Sequence, residues 1–295
     1  MQHQQTASQT HKSPSRSWLK PLLLGCGAAA AIFGFVCCIL LTGSAVVYRI
    51  TYPPLPSEPE SLMEMVEDQV AQLRGLEFQT PVTFTLLTSE ELRQNIEEDF
   101  SEEWSIEEAA ISVITLAAFD LIDPDFDLYN LYLDLYSEQI AGYYDPEEKT
   151  MYVIAGDEAI NVSQRLTLAH ELTHALQDQH FHLDRLTDEE NEDEDTEADF
   201  AFRALVEGEA SLVEQQYLTK LAPHEYPLLV QEALAINTDV LDRTPHAIAE
   251  SQIFPYREGL AFTTSLYKEG GWPALNAALN VSASVSAASS PSPVG

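Results

Sequence analysis

The stretch Thr167-Leu168-Ala169-His170-Glu171-Leu172-Thr173-His174-Ala175-Leu176-Gln177 sets two histidines four residues apart inside an apolar pattern. Leu168, Leu172 and Leu176 recur at intervals of four, with Leu166 and Ala169 beside them, so the segment reads as a helix with one apolar stripe. Residues four apart on a helix lie one above the other. His170 and His174 therefore point two imidazoles at one place. They sit beside the apolar stripe rather than opposite it, so partial burial is expected, and buried imidazoles need polar partners. A catalytic zinc ion takes three protein ligands and keeps a fourth position for water. Glu171, next to the first histidine, is placed to accept a proton from such a water.

The third ligand has two candidates. His180 lies six residues after His174, the spacing of the third histidine in metzincin peptidases. That family needs a glycine where this chain has Gln177, and a methionine turn downstream. The methionines here are Met1, Met63, Met65 and Met151, all upstream of the motif. His180 and His182 are therefore read as loop residues or as supports for a ligand. The other candidate lies in Ala204-Leu205-Val206-Glu207-Gly208-Glu209-Ala210-Ser211, within a second helix from about Ala198 to Leu218. Glu207 shares a face with Ala204, Ala210 and Ser211, whose small size lets two helices approach closely. Glu209 points elsewhere, with Leu205, Val206, Leu212 and Val213, and suits a partner of a ligating histidine. Helix-face geometry favours Glu207 as the ligand.

His170-Glu171-x-x-His174 followed by Glu207-Gly208-x-Ala210 resembles the gluzincin metallopeptidases, in which two histidines and a downstream glutamate bind zinc. The Glu-Gly-x-Ala form is similar to the aminopeptidase branch; where thermolysin-like members carry an aspartate four residues after the ligand glutamate, this chain has Ser211. The resemblance covers His170 to Ser211, and the wider stretch from Tyr143 to Trp272 resembles bacterial membrane-anchored proteins with this core. It implies a zincin-like domain with Zn²⁺ held by His170, His174 and Glu207. Peptide or protein substrates would be hydrolysed with Glu171 as general base. In such folds the edge strand of a small sheet holds the substrate backbone by strand addition; the strand Met151–Ile154 is expected to do so. A downstream Tyr or His stabilises the oxyanion in several members. Tyr256 is put forward for that role, with His224 and His246 as rivals.

The 295 residues carry a formal net charge of −34. All 48 acidic residues follow position 50, whereas Lys12, Arg16, Lys20 and Arg49 precede it. Nucleic-acid binding normally needs a basic face and is not expected. Acidity of this degree reads first as solubility. Residues 1–20 form a polar tail, and Pro21 to Tyr48 runs without a charge, long enough to span a bilayer. The basic residues before it predict a cytoplasmic tail and an exported C-terminal domain, a single-pass protein of the cell membrane. Cys26, Cys37 and Cys38 all lie in the apolar run. The domain after it therefore has no disulfide and no cysteine nucleophile or ligand.

Residues 49–59 are a stiff proline-rich linker. A helix follows from about Glu60 to Arg74, stopping at Gly75. Pro81 to Leu87 reads as a strand, Glu90 to Phe100 as a helix, and Ser105 with Glu108 as a capping box opening another. Leu128 to Tyr136 is helical, and Ile140 to Ile154 reads as a hairpin turning at Asp145-Pro146. Tyr143, Tyr144 and Tyr152 are read as sheet aromatics that could also line a cleft. The acidic run Thr187 to Glu197 is expected to be a solvated loop. Helices are expected at about Pro227–Asn237, His246–Phe254, Glu258–Lys268 and Pro273–Leu279, with Gly270-Gly271 as a break. Residues 281–295, rich in Ser, Ala and Pro, read as a disordered tail. The fold class is α+β: a mainly helical domain over residues 60–280 with a small edge sheet, preceded by one transmembrane helix. The function this predicts is zinc-dependent peptide hydrolysis; a non-catalytic surface module that binds metal or a partner is the alternative.

Overall fold

The structure, a computed structural model, describes Tyr52 and residues 54–138, 142–146, 148–154, 160–181, 183 and 196–289. The apolar run 21–48 and nearly all of the acidic run 187–197 lie outside the described residues. No helix among the described residues is long and apolar enough to cross a membrane.

The chain is mostly helical with one three-stranded sheet. Helix α1 (Pro59–Arg74) starts on a proline, whose missing N–H costs nothing in the first turn, and ends where Gly75 turns left-handed at φ 70°. Strand β1 (Thr83–Leu87) leads into α2 (Ser89–Glu103) and α3 (Ile106–Ala118). Both helices open with a capping box. Ser105 Oγ accepts from the Glu108 amide while Glu108 accepts from the Ser105 amide, as expected, and Thr88 and Glu91 do the same for α2. Then come α4 (Leu128–Glu138), the hairpin strands β2 (Gly142–Asp145) and β3 (Thr150–Ile154), α5 (Val162–Phe181) and α6 (Thr196–Tyr217). A 3₁₀ turn at Leu218–Lys220, α7 (Glu225–Leu234), α8 (Asp239–Arg243) and α9 (His246–Ser289) complete the described chain.

The sheet order is β1-β3-β2, with β1 parallel and β2 antiparallel to β3. This corrects the expectation for Met151–Ile154. β1 comes from sixty residues upstream and pairs with the outer side of β3, so β3 is the middle strand. The edge beside α5 is β2.

Three helices were expected after residue 245, and one runs from His246 to Ser289. Pro255 sits inside it, because proline's fixed φ is itself helical and packing can outweigh one missing hydrogen bond. Gly271, at φ 63° and ψ −160°, is the single kink. The helix also continues past Asn280 to Ser289, where a disordered tail was expected from residue 281.

α5 is the centre of the domain. α1, α6, α7 and β2 all pack on it, and it is buried on every side rather than on one stripe. Leu166, Leu168, Leu172 and Leu176 join Val66 and Val70 of α1, Met151 and Val153 of β3, and Val213 and Tyr217 of α6 in one core. Fully burying each such leucine is worth about 1.5–3 kcal/mol. A second core joins α2, α3 and α4, and a third lies where α6 meets α9.

Candidate metal centre

A helix buried on every side is normally apolar throughout. α5 instead buries Arg165, Thr167, His170, Glu171, Thr173, His174, Gln177 and Asp178. Each of these must be satisfied from a neighbouring element, and the neighbours define the site.

His170 and His174 are 1% and 3% exposed and Glu207 is fully enclosed. Helix α6 brings the Glu207 Oε2 atom to 3.2 Å from His170 Nε2 and 3.4 Å from His174 Nε2. The ligand atoms of the three residues lie within 4.8 Å of one another. Ligands bound tetrahedrally at about 2.0–2.2 Å from zinc stand about 3.4 Å apart, so these spacings fit an ion at the centre. Glu207 Oε1 is buried and has no hydrogen-bond partner among the described residues, an orphaned acceptor of the kind a cation would satisfy. Two imidazoles and one carboxylate are also a donor set that holds catalytic zinc.

The outer nitrogens of both rings face acceptors, and that of His174 is hydrogen-bonded. His174 Nδ1 is 2.8 Å from Gln177 Oε1. His170 Nδ1 faces Glu214 Oε2 at 3.4 Å. With Gln177 Oε1 accepting at Nδ1, the neutral His174 ring carries its proton there and turns its Nε2 lone pair inward, and the nearby Glu214 favours the same arrangement in His170. Glu209 does not touch a histidine. It accepts from Gln177 Nε2 at 2.7 Å and pairs with Arg74 at 2.6 Å. Burial pushes the Glu209 carboxyl up and the Arg74 guanidinium down, and each partner opposes the other's shift. Arginine keeps its proton at any ordinary pH, so the two form an ion pair.

Glu171 is buried beside the three and does not join them. Its Oε2 accepts from the Tyr144 amide at 3.1 Å, which ties the β2 edge to the helix. The hairpin is clamped a second time at Asp178, which accepts from the Tyr144 hydroxyl at 2.8 Å and from Lys149 Nζ at 2.7 Å. Burial pushes the Glu171 carboxyl up to about 7, with the two histidines limiting the rise.

Charge within the metal-free group is strongly displaced. Burial alone would lower His170, but its contacts with Glu207 and Glu214 raise it to about 10. Burial also works against the charged His174, and Glu207 nonetheless raises it. Glu207, despite burial, is held far below the usual carboxylate range by His174 and His170.

Of the residues put forward for an oxyanion, Tyr256 lies at the site: it is buried, its ring centroid 6.1 Å from that of His170. His224 and His246 are exposed at the starts of α7 and α9. His180 is turned away, with Nε2 2.9 Å from the Glu77 carbonyl and Nδ1 3.2 Å from Gln79. His182 lies outside the described residues. Of the three tyrosines considered for the cleft, Tyr143 and Tyr152 stack on each other at 4.8 Å and join the α2–α4 core, while Tyr144 reaches the site through its amide. Three supporting residues went unread in the sequence. Glu214 carries a signal, being seven residues after Glu207 and so two turns along the same face. Gln177 lies one turn beyond His174. The Tyr144 amide has no signal in any single segment.

Comparison of the chain with protein-family models, with curated proteins and with solved structures finds no match.

Proposed function

We propose that this chain is a membrane-anchored, zinc-dependent peptidase. The observation that carries the reading is the convergence of two Nε2 atoms and one carboxylate oxygen at 3.2 and 3.4 Å, with a separate glutamate beside them. Structural zinc sites close with four protein ligands, whereas catalytic ones use three. Among the described residues three such ligands converge, which favours catalysis over the surface-module alternative.

His170, His174 and Glu207 would hold the ion. When bound, zinc supplies a Lewis acid and makes water acidic enough to lose a proton near neutral pH. Glu171 takes that proton and delivers it to the leaving amine nitrogen. The Tyr144 amide holds Glu171 Oε2, which leaves Oε1 to carry the proton. In the metal-free site burial pushes this carboxyl up to about 7, and a cation beside it would draw it down from there toward the range of a base ionised at working pH. The Tyr256 hydroxyl donates to the developing oxyanion. An extended substrate lies along the β2 edge, where Gly142 shares the outward side with Tyr144. The apolar run 21–48 anchors the chain with the acidic domain outside the cell, so protease added to intact cells should digest the domain and spare the tail.

The test uses the full chain in detergent, stripped of metal and then reloaded with one equivalent of zinc. A broad peptide library should be cut by the reloaded protein and not by the stripped one. A chain that binds zinc and cuts nothing in the library returns the site to the surface-module reading.

A further inference from the structure

We infer that the buried Arg74–Glu209 ion pair is a positioning device for His174, acting through Gln177 to hold the proton of that ring on Nδ1 and leave Nε2 free for a metal. The inference rests on the metal-centre reading above and extends it to residues outside the ligand set.

Gln177 links the ion pair to the ring. An amide can offer either its oxygen or its nitrogen to an imidazole, and shape alone scarcely distinguishes the two ends. Here the choice is forced. Gln177 Nε2 donates to the Val206 carbonyl at 3.0 Å and to Glu209 Oε2 at 2.7 Å. A backbone carbonyl cannot donate. The nitrogen end is committed to these two acceptors, so the oxygen end must face His174 Nδ1, 2.8 Å away. An oxygen there accepts only from a protonated Nδ1. The lone pair of the neutral ring is then on Nε2, the atom 3.4 Å from Glu207 Oε2.

Arg74 stands 2.6 Å from the other oxygen of Glu209 and fixes where that carboxyl group lies. Arg74 closes α1 and is 1% exposed. Its guanidinium lies 4.6 Å from the centre of the Trp272 ring, and it also donates to Asn276. Trp272 and Asn276 follow the kink at Gly271, so the last part of α9 seats the arginine. α1 and the end of α9 thus bear on a zinc ligand through three side chains, none of which touches the ion. An ion pair that merely joined α1 to α6 would change stability alone. A positioning device also changes the ring proton and the metal affinity, and supporting groups of this kind are worth about 10–100-fold in affinity.

The experiment uses full-length chain in detergent, labelled with ¹⁵N-histidine. The Nδ1–H signal of His174 is assigned by its absence in His174→Gln. Metal-free wild type should show that signal protected from exchange. The double variant Arg74→Met/Glu209→Leu removes both charges together and leaves no lone buried ion. Folded by circular dichroism, it should lose the protection and bind zinc about 10–100-fold more weakly in chelator competition. Glu209→Gln keeps the shape and decides the matter should the double variant not fold; it too should lose the protection. Either variant, folded, with the protected signal and wild-type affinity overturns the proposal. A wild type that binds no zinc sinks the metal-centre reading, and the metal-free Nδ1–H signal then judges the positioning device separately.

Discussion

Gly208 on α6 and Gly259 on α9 meet backbone to backbone: a Cβ on Gly208 would stand 2.2 Å from the Gly259 carbonyl carbon, and one on Gly259 would stand 2.0 Å from the Ala204 oxygen. Thr263 Oγ1 lies 2.9 Å from both the Gly208 and the Gly259 carbonyl oxygens, so its one proton is shared between the two helices at the crossing. The contact is immediately next to Glu207, and α9 carries Tyr256 one turn before Gly259. The crossing therefore fixes how the ligand glutamate and Tyr256 face each other. In an ordinary helix interior, Gly→Ala stabilises by about 0.5–1 kcal/mol. Here Gly208→Ala should destabilise, by about 1–3 kcal/mol or more, because the added methyl meets backbone that has no rotamer to yield. Urea unfolding gives the sign directly. A variant as stable as wild type would mean that the two helices do not cross this closely.

Glu214 should matter to metal binding although it touches no metal. Its Oε2 faces His170 Nδ1 at 3.4 Å and has no hydrogen-bond partner of its own among the described residues. Carboxylate support of a ligating histidine is worth about 10–100-fold in affinity. Glu214→Gln keeps the volume and an acceptor but removes the charge, so zinc affinity should fall by about tenfold, at the lower end of that range. Glu214→Leu removes the acceptor too and should fall further. Chelator competition at fixed pH ranks the two. Equal affinity in all three proteins would show that His170 orients itself without help.

Metal binding should be tightly linked to protons. A histidine must be unprotonated to bind zinc. In the metal-free protein His170 is raised from 6.5 to about 10, chiefly by Glu207 and Glu214 against the effect of burial. The folded pKa lies above the unfolded one, so the charged ring stabilises the metal-free fold fully below pH 6.5, and that contribution is lost as pH rises through about 10. Zinc binding at pH 7 must expel this proton. Calorimetry in buffers of different ionisation enthalpy should report about one proton released or more. Affinity should climb by up to about tenfold per pH unit for each such proton. A flat profile between pH 7 and 9 would mean that His170 is already neutral in the metal-free site.

What could be read from the sequence was whatever depends on one segment. The helix carrying His170 and His174, the Ser105–Glu108 box and the stop at Gly75 are each encoded within a few residues, and helix faces distinguish Glu207 from Glu209 without a partner in view. What could not be read depends on distant segments. β1 pairs with β3 across sixty residues of intervening chain, which moves the edge to β2 and leaves Met151–Ile154 in the middle. Arg74 meets Glu209 and Trp272 only after α1, α6 and the end of α9 have packed. α5 was legible as a helix with one apolar stripe and two partly buried histidines beside it, and it is buried further than that for the same reason: Glu207, Glu209, Glu214 and the Tyr144 amide supply its polar residues with partners from other segments.

The chemistry is decided by separating a base from a ligand on one helix. Glu171 lies next to His170, yet it stands outside the ligand group and accepts from the Tyr144 amide at 3.1 Å. Glu171→Gln keeps the side chain's size and its acceptor for that amide and removes the basic carboxylate. Zinc affinity should stay within a few-fold of wild type. Turnover should fall about 10²–10⁴-fold, the usual worth of general-base help. His174→Ala deletes an imidazole 3.4 Å from Glu207 and breaks the link to Gln177, so metal and activity should be lost together. The acid side of the pH–rate profile adds a check that geometry alone does not give. Burial raises Glu171 to about 7, and a bound cation beside it would draw that value down, so activity should rise with pH and level off at or below neutrality. Any activity left in Glu171→Gln should lack that rise. If Glu171→Gln keeps full turnover with the same profile, Glu171 is not the base, and the proton must pass through another group at the site.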